Sequence, residues 1–204
     1  MLPAEKELEI VRRLDTVRDA ARNVAEFGRE AVSALEAVLP VDGVILFAAD
    51  AAGGIAGDTA AVYAGGGISL GSKTLEAVRK QARKSLERNT PHQAAMRSGT
   101  VRRAAFHPMK LNGASLGVLA AGNRAGGAMD PVVAPALGAA AAVVDSALLG
   151  LRHRERMEQS LREVSLLHAI DGLRDAHRDT GAFLAAALER LAQDAPARYA
   201  AVVL

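Results

Sequence analysis

The stretch Ala105-Phe106-His107-Pro108-Met109-Lys110-Leu111-Asn112-Gly113-Ala114-Ser115-Leu116-Gly117-Val118-Leu119 decides the fold. Asn112-Gly113 between two apolar runs is the pattern of a two-residue type I′ hairpin, because both turn residues must take positive φ. It predicts antiparallel strands over residues 100–111 and 114–122. Pro108 has no N–H to give to a ladder, so its strand must lie at an edge or bulge there. Downstream, Asp130 and Pro131 read as a helix cap and first position, with Pro135 able to delay the start. The pattern then stays helical to about Ala176, with Gly138, Gly150 and Gly172 as soft spots. A helix of roughly 45 residues is about 65 Å long, more than a small domain is wide. Its middle, residues 152–163, is strongly charged and reads as solvated.

Upstream, residues 3–39 read as one helix stopped by Pro40. Pro3 suits the first turn, and Glu5, Glu7 and Glu9 suit the positive helix end. Ile10, Leu14, Val17, Ala21 and Val24 alternate steps of four and three, a heptad-like seam. Phe27, Ala31, Ala34, Leu35 and Val38 make a broader stripe suited to a sheet face. Residues 41–49 read as a strand apolar on both faces, hence buried between layers. A Gly- and Asp-rich turn follows at 50–58, then a second strand at 59–64. Residues 72–89 read as a helix capped by Ser72, with an apolar stripe of Leu75, Val78, Ala82 and Leu86. Residues 90–99 read as a loop.

The opening helix returns late in the chain. Leu14-Asp15-Thr16-Val17-Arg18-Asp19-Ala20 reappears 156 positions later as Ile170-Asp171-Gly172-Leu173-Arg174-Asp175-Ala176. Arg22 maps to Arg178, Phe27 to Phe183, Ala31 to Ala187 and Leu35 to Leu191. A strand-like run follows each copy, Val44–Phe47 and then, with one residue of slippage, Ala201–Leu204. The chain thus reads as one whole domain, a linker, and the start of a sibling cut short. Such chains are typically signalling proteins with tandem modules. Tyr199–Leu204 would lack its sheet, and is expected to be exposed or to pair with another chain.

Composition narrows the function. A length of 204 residues suits one domain with helical extensions. A net charge of +2 argues against general nucleic-acid binding. Aromatics make up 3% of the chain, too few for stacking platforms. With no cysteine, there is no disulfide, thiolate chemistry, thioether-linked pigment or Cys-rich zinc site. The nearest approach to a membrane span, residues 132–151, is mostly Ala and contains Asp145, so a buried helix is expected. Residues 1–12 carry charges and no apolar signal core, so a cytoplasmic location is expected. No Ser-His-Asp spacing, carboxylate pair or P-loop suggests catalysis.

Three stretches carry a resemblance to the GAF domain, a sensor module of tandem signalling proteins. Residues 31–47 are similar to its opening helix and first strand. The hairpin quoted above is similar to its P-I/L-x-x-x-G-x-x-I-G-V-L pattern. Gly122-Asn123-Arg124-Ala125-Gly126-Gly127-Ala128-Met129-Asp130 resembles the N-R/K-x-G-G-x-F-T/S turn before the closing helix, with Met129 for Phe. The resemblance covers about 8–153. It implies an α+β fold: an antiparallel sheet of about six strands between helical layers, with long N- and C-terminal signalling helices. The terminal helices would lie on one face and a ligand pocket on the other. The domains would be a dimerisation helix at 1–25, the GAF domain at 26–150, a helical linker at 151–180, and the start of a second GAF-like domain at 181–204.

The resemblance also shapes the chemistry expected. Cyclic-nucleotide-binding GAF domains carry an acidic pair that is missing after Asn123-Arg124, so this ligand is not expected. His107 is the only feature that would support haem, and haem is not expected either. GAF domains that reduce methionine sulfoxide use cysteines, which this chain lacks. No metal ligand set is read, and the cofactor is left unknown. The candidate ligand-binding residues are Phe47, Tyr63, His92, Arg97 and His107. The candidate dimer seam is Ile10, Leu14, Val17 and Val24 with Leu148, Leu151, Leu166, Ile170 and Leu173. The expected function is a non-enzymatic sensory module. It would form a homodimer through its helices and relay the state of a small-molecule pocket to a downstream output domain. Alternatives are a dimerisation scaffold with an empty, degenerate pocket, or the effector-binding domain of a transcription regulator.

Overall fold

The computed structural model describes residues 2–50, 53–55, 61–66, 68, 70–97 and 99–194. It divides into two compact units, Met1–Arg152 and His153–Leu204. The first holds α1 (Ala4–Ala20), α2 (Val24–Glu36), β1 (Gly43–Ala48), β2 (Ala61–Ala64), α3 (Ser72–Arg88), β3 (His92–Ala95), β4 (Arg103–Leu111) and β5 (Ala114–Asn123). The helix α4 (Val133–Ala176) begins in the first unit and runs into the second, where α5 (Thr180–Asp194) follows.

The quoted hairpin forms as its residues dictate. Leu111 pairs with Ala114, and Asn112 and Gly113 take φ of 51° and 80°. The β4–β5 ladder shifts register between Met109 and Lys110, so the pair bulges beside Pro108. Pro108 also lies beyond β3, whose ladder with β4 ends at Phe106. The sheet is antiparallel with order β2-β1-β5-β4-β3. Five strands are described rather than about six. Residues 100–102 precede β4 rather than belonging to it, and β3 lies inside the segment read as a loop.

Strand alternation sorts the core into two layers. Val44, Leu46, Ala105, Met109, Leu119 and Ala121 pack with Ile10, Leu14, Phe27, Leu35 and the buried side of α4. Ile45, Phe47, Phe106, Val118 and Ala120 pack with Val78, Ala82 and Leu86 of α3. The sheet therefore lies between a layer of terminal helices and a layer made by α3. The first half of α4 is long and apolar enough to cross a membrane by length and composition. Its apolar side, from Val133 and Leu137 through Val144 and Leu148 to Leu151, is core.

Three boundaries differ from the sequence reading. The opening helix is two helices, because Asn23 caps a new one. Its Oδ1 accepts from the Glu26 N–H at 2.8 Å, while Glu26 Oε2 accepts from the Arg22 N–H at 2.9 Å. At α3, Gly71 occupies the cap position and Ser72 is already helical. At α4 the helix opens at Val133 rather than at Pro131, and Asp130, in the turn ahead of it, accepts from the Val132 N–H at 2.9 Å. Pro135 falls in the first turn of α4, where its missing N–H costs nothing.

The second unit repeats the α1–α2 joint with the same 156-residue shift. The last residues of α1 and α4 are Ala20 and Ala176, and α2 and α5 open at Val24 and Thr180. Asn23 and Asp179 both accept from the N–H three residues on, Glu26 and Ala182, at 2.8 Å. Arg18 bridges Asp15 and Asp19, and Arg174 bridges Asp171 and Asp175. The strand expected within 199–204 lies outside the described residues.

Candidate ligand cleft at the sheet edge

The five candidate ligand residues do not converge. Phe47 is fully buried against the α3 layer and offers no surface. Tyr63 pairs with Leu46, so it faces the opposite layer and packs over Gly28 of α2. Arg97 is exposed in the segment after β3. His92 and His107 do meet, at a cleft of about 210 Å³ lined by Pro91, His92, Gln93, Ala105, Phe106, His107, Ala134 and Leu137. That lies below the roughly 300–1,000 Å³ of ordinary small-molecule sites.

The register explains how two histidines reach one cleft from opposite faces. His92 pairs with Phe106, and their rings stack at 5.1 Å and 18° on the α3 face. His107 is one residue on and points to the α4 face. A Cβ on Gly138 would sit 3.4 Å from His107 Nε2, so the glycine leaves room for the ring. His107 Nδ1 lies 3.1 Å from the Pro108 carbonyl, which accepts its proton and leaves the lone pair on Nε2. His92 Nε2 is buried with no hydrogen-bond partner among the described residues. Sequence alternation placed His107 on an apolar strand, but β3 itself carried no signal strong enough to place His92.

Both imidazoles titrate below their ordinary value. Burial is the largest cause for His92, followed by the nearby charges of Arg88 and Lys84. Burial also lowers His107, against smaller opposing effects of the Pro108 carbonyl and Asp145. Burial pushes the Asp145 carboxyl up. The unfolded histidines, near 6.5, thus take up protons first as pH falls. Their contribution to stability is whole above pH 6.5 and declines as pH drops towards the folded values. Asp145 has the opposite sign in a lower window, stabilising in acid and losing that contribution as pH rises through its folded value. The melting temperature should therefore fall from pH 7 to pH 5, and His107→Gln should flatten the fall. An unchanged slope in both His107→Gln and His92→Gln would remove the histidines from this account.

The turn after β5 is a lock. Asn123 Oδ1 accepts from the Asp42 N–H at 3.2 Å, and Asp42 Oδ2 accepts from the Arg124 N–H at 2.6 Å. The pair ties the end of β5 to the start of β1, a structural duty for Asn123-Arg124. The dimer-seam candidates are also engaged by the fold. Ile10, Leu14, Leu148 and Leu151 are buried in the first unit's core, and Val17 and Val24 are half-buried against it. They present no free seam to a second chain. Leu166, Ile170 and Leu173 are half-buried in the second unit.

Solved structures share this architecture. The Stigmatella aurantiaca phytochrome photosensory core module matches with a TM-score of 0.62 at 15% identity, over 94% of this chain and 46% of that one. The GAF domain of an Acinetobacter phosphoenolpyruvate-protein phosphotransferase matches with 0.53 at 11% identity, over 74% of this chain and 97% of that one. This chain has the GAF fold. A free methionine-R-sulfoxide reductase from Neisseria meningitidis, solved with its substrate, also shares the GAF fold, at 0.54 and 13% identity over 76% of this chain and 96% of that one. The chain spans about half of the phytochrome module, 46% of its length. No family model matches the sequence, and no curated protein does.

Proposed function

We propose that this GAF domain is a non-enzymatic sensory module, cytoplasmic and homodimeric, that passes the state of its site to an output domain. The observation that carries the reading is α4. Its first half closes the GAF core, and the same helix continues unbroken as the spine of the second unit. Leu137 and Gly138 of that helix border the cleft and His107. A group bound there would press directly on the first turns of α4. The absence of any cysteine from the sequence separates it from the cysteine chemistry of methionine sulfoxide reduction. The second unit, with its repeated joint, serves in this reading as the linker and the first helices of a second GAF-like domain.

The small size of the cleft favours one competing reading, a dimerisation scaffold with a degenerate pocket. Native mass spectrometry of the purified protein, compared with the denatured mass, separates the two. The sensor reading expects a dimer carrying a discrete extra mass that denaturation removes. A clean, empty dimer that gains no mass from a small-molecule library would favour the scaffold.

A further inference from the structure

The second half of α4 carries two apolar stripes, and they face opposite ways. Leu166, Ile170 and Leu173 continue the inward face of Leu148, and are half-buried. They are the repeat equivalents of Ile10, Leu14 and Val17, which the fold of the first unit needs. Met157, Leu161 and Val164 lie about 140–200° around the helix from Leu166. They are 55%, 66% and 49% exposed, unusual for three large apolar side chains on one helix face. The repeat accounts for Val164, whose equivalent Leu8 is also 49% exposed, but not for Leu161. Leu161 stands where the first copy has Glu5, and His168 where it has Arg12. A stripe that the fold does not require, and that water disfavours, calls for another occupant.

We infer that this stripe is the contact between two copies of the chain, packed antiparallel. The inference rests on the homodimer proposed above and specifies its surface. Arg154, Met157, Leu161, Val164, His168 and Asp171 alternate steps of three and four, as a two-helix seam requires. Charge chooses the direction. A parallel, in-register pair would set Arg154 against Arg154, His168 against His168 and Asp171 against Asp171. An antiparallel pair with its two-fold axis between Leu161 and Val164 sets Arg154 against Asp171 at both ends. It stacks Leu161 on Val164 twice in the centre and covers His168 with Met157. Beside the seam it places Glu158 near Ser165 and Ser160 near Leu167, with no like charges opposed. Asp171 already bridges Arg174 at 3.4 Å, so it would sit between two guanidinium groups.

The absence of cysteine from the chain makes the test direct. Met157→Cys and His168→Cys are made separately in the full chain and oxidised alone and mixed. In the antiparallel pair the two positions 157 lie about 16 Å apart along the axis, too far for a disulfide. The expected result is cross-linking in the mixture and none in the Met157→Cys protein alone. Self-linking of Met157→Cys would overturn the orientation. Sedimentation of Leu161→Glu tests the surface, because Leu161 is 66% exposed and its substitution should leave the fold intact, as a thermal melt checks. The dissociation constant should rise by at least about tenfold. A wild-type dimer indifferent to Leu161→Glu would overturn this surface while the dimeric reading stands. A wild-type monomer would overturn both.

Discussion

Leu14→Glu is expected to unfold the domain rather than to split a dimer. Leu14 is 0% exposed and belongs to the core shared by the terminal helices and the sheet. A carboxylate placed there has neither water nor a cation. An uncompensated buried charge costs about 3–5 kcal/mol, and loss of the leucine adds to it. The sum, at least about 4 kcal/mol, approaches the whole stability of an ordinary domain. Urea denaturation followed by circular dichroism reads the effect. A midpoint near that of the wild type would place Leu14 at the surface after all. The contrast with Leu161→Glu is informative: the two substitutions are chemically alike, and burial alone separates their outcomes.

The second large effect belongs to Gly117. Its φ is +150°, and an added Cβ would lie 2.0 Å from the Phe47 carbonyl oxygen and 3.0 Å from Met109 Cε. Gly117 pairs with Ala48 on one side and Met109 on the other, beside the bulge, so the two central ladders cross at this residue. No flexible side chain can yield to the Phe47 carbonyl, because backbone fixes it. Gly117→Ala should therefore cost more than about 4 kcal/mol, or prevent folding. Gly113→Ala is the control. Gly113 also has positive φ, at +80°, but nothing lies within 4 Å. Its substitution should cost only the conformational penalty of about 1–2 kcal/mol. Equal losses in denaturant midpoint for the two variants would show that φ, and not the close approach to β1, sets the requirement at Gly117.

Much of this architecture was legible in the residues because its causes are local. Asn112-Gly113 closes a hairpin through the φ values those two residues accept. The apolar stripe of α3 and the run of helix to Ala176 follow from neighbours within a few turns. The 156-residue repeat was legible down to its ion pairs, since Asp-x-x-Arg-Asp on a helix brings the same charges together wherever it occurs. The break at Ala21–Asn23 had a local signal too, Asn23 with Glu26. The continuous apolar seam across it obscured that signal.

The rest was decided by partners distant in sequence. β3 is a strand because β4 offers it an edge, and its four residues carry no pattern strong enough to announce that. Phe47 and Tyr63 fall on opposite faces because of how β2 registers on β1. His92 and His107 meet only because β3 registers on β4 at the sheet edge. Periodicity in α1 and α4 showed which side chains share a stripe. It could not show whether a stripe is covered by the chain's own sheet or left to water. Ile10 and Leu14 are buried, and Met157 and Leu161 are exposed, although both pairs step along a helix in the same way. A stripe records a demand for burial, and only the tertiary structure supplies the surface that meets it.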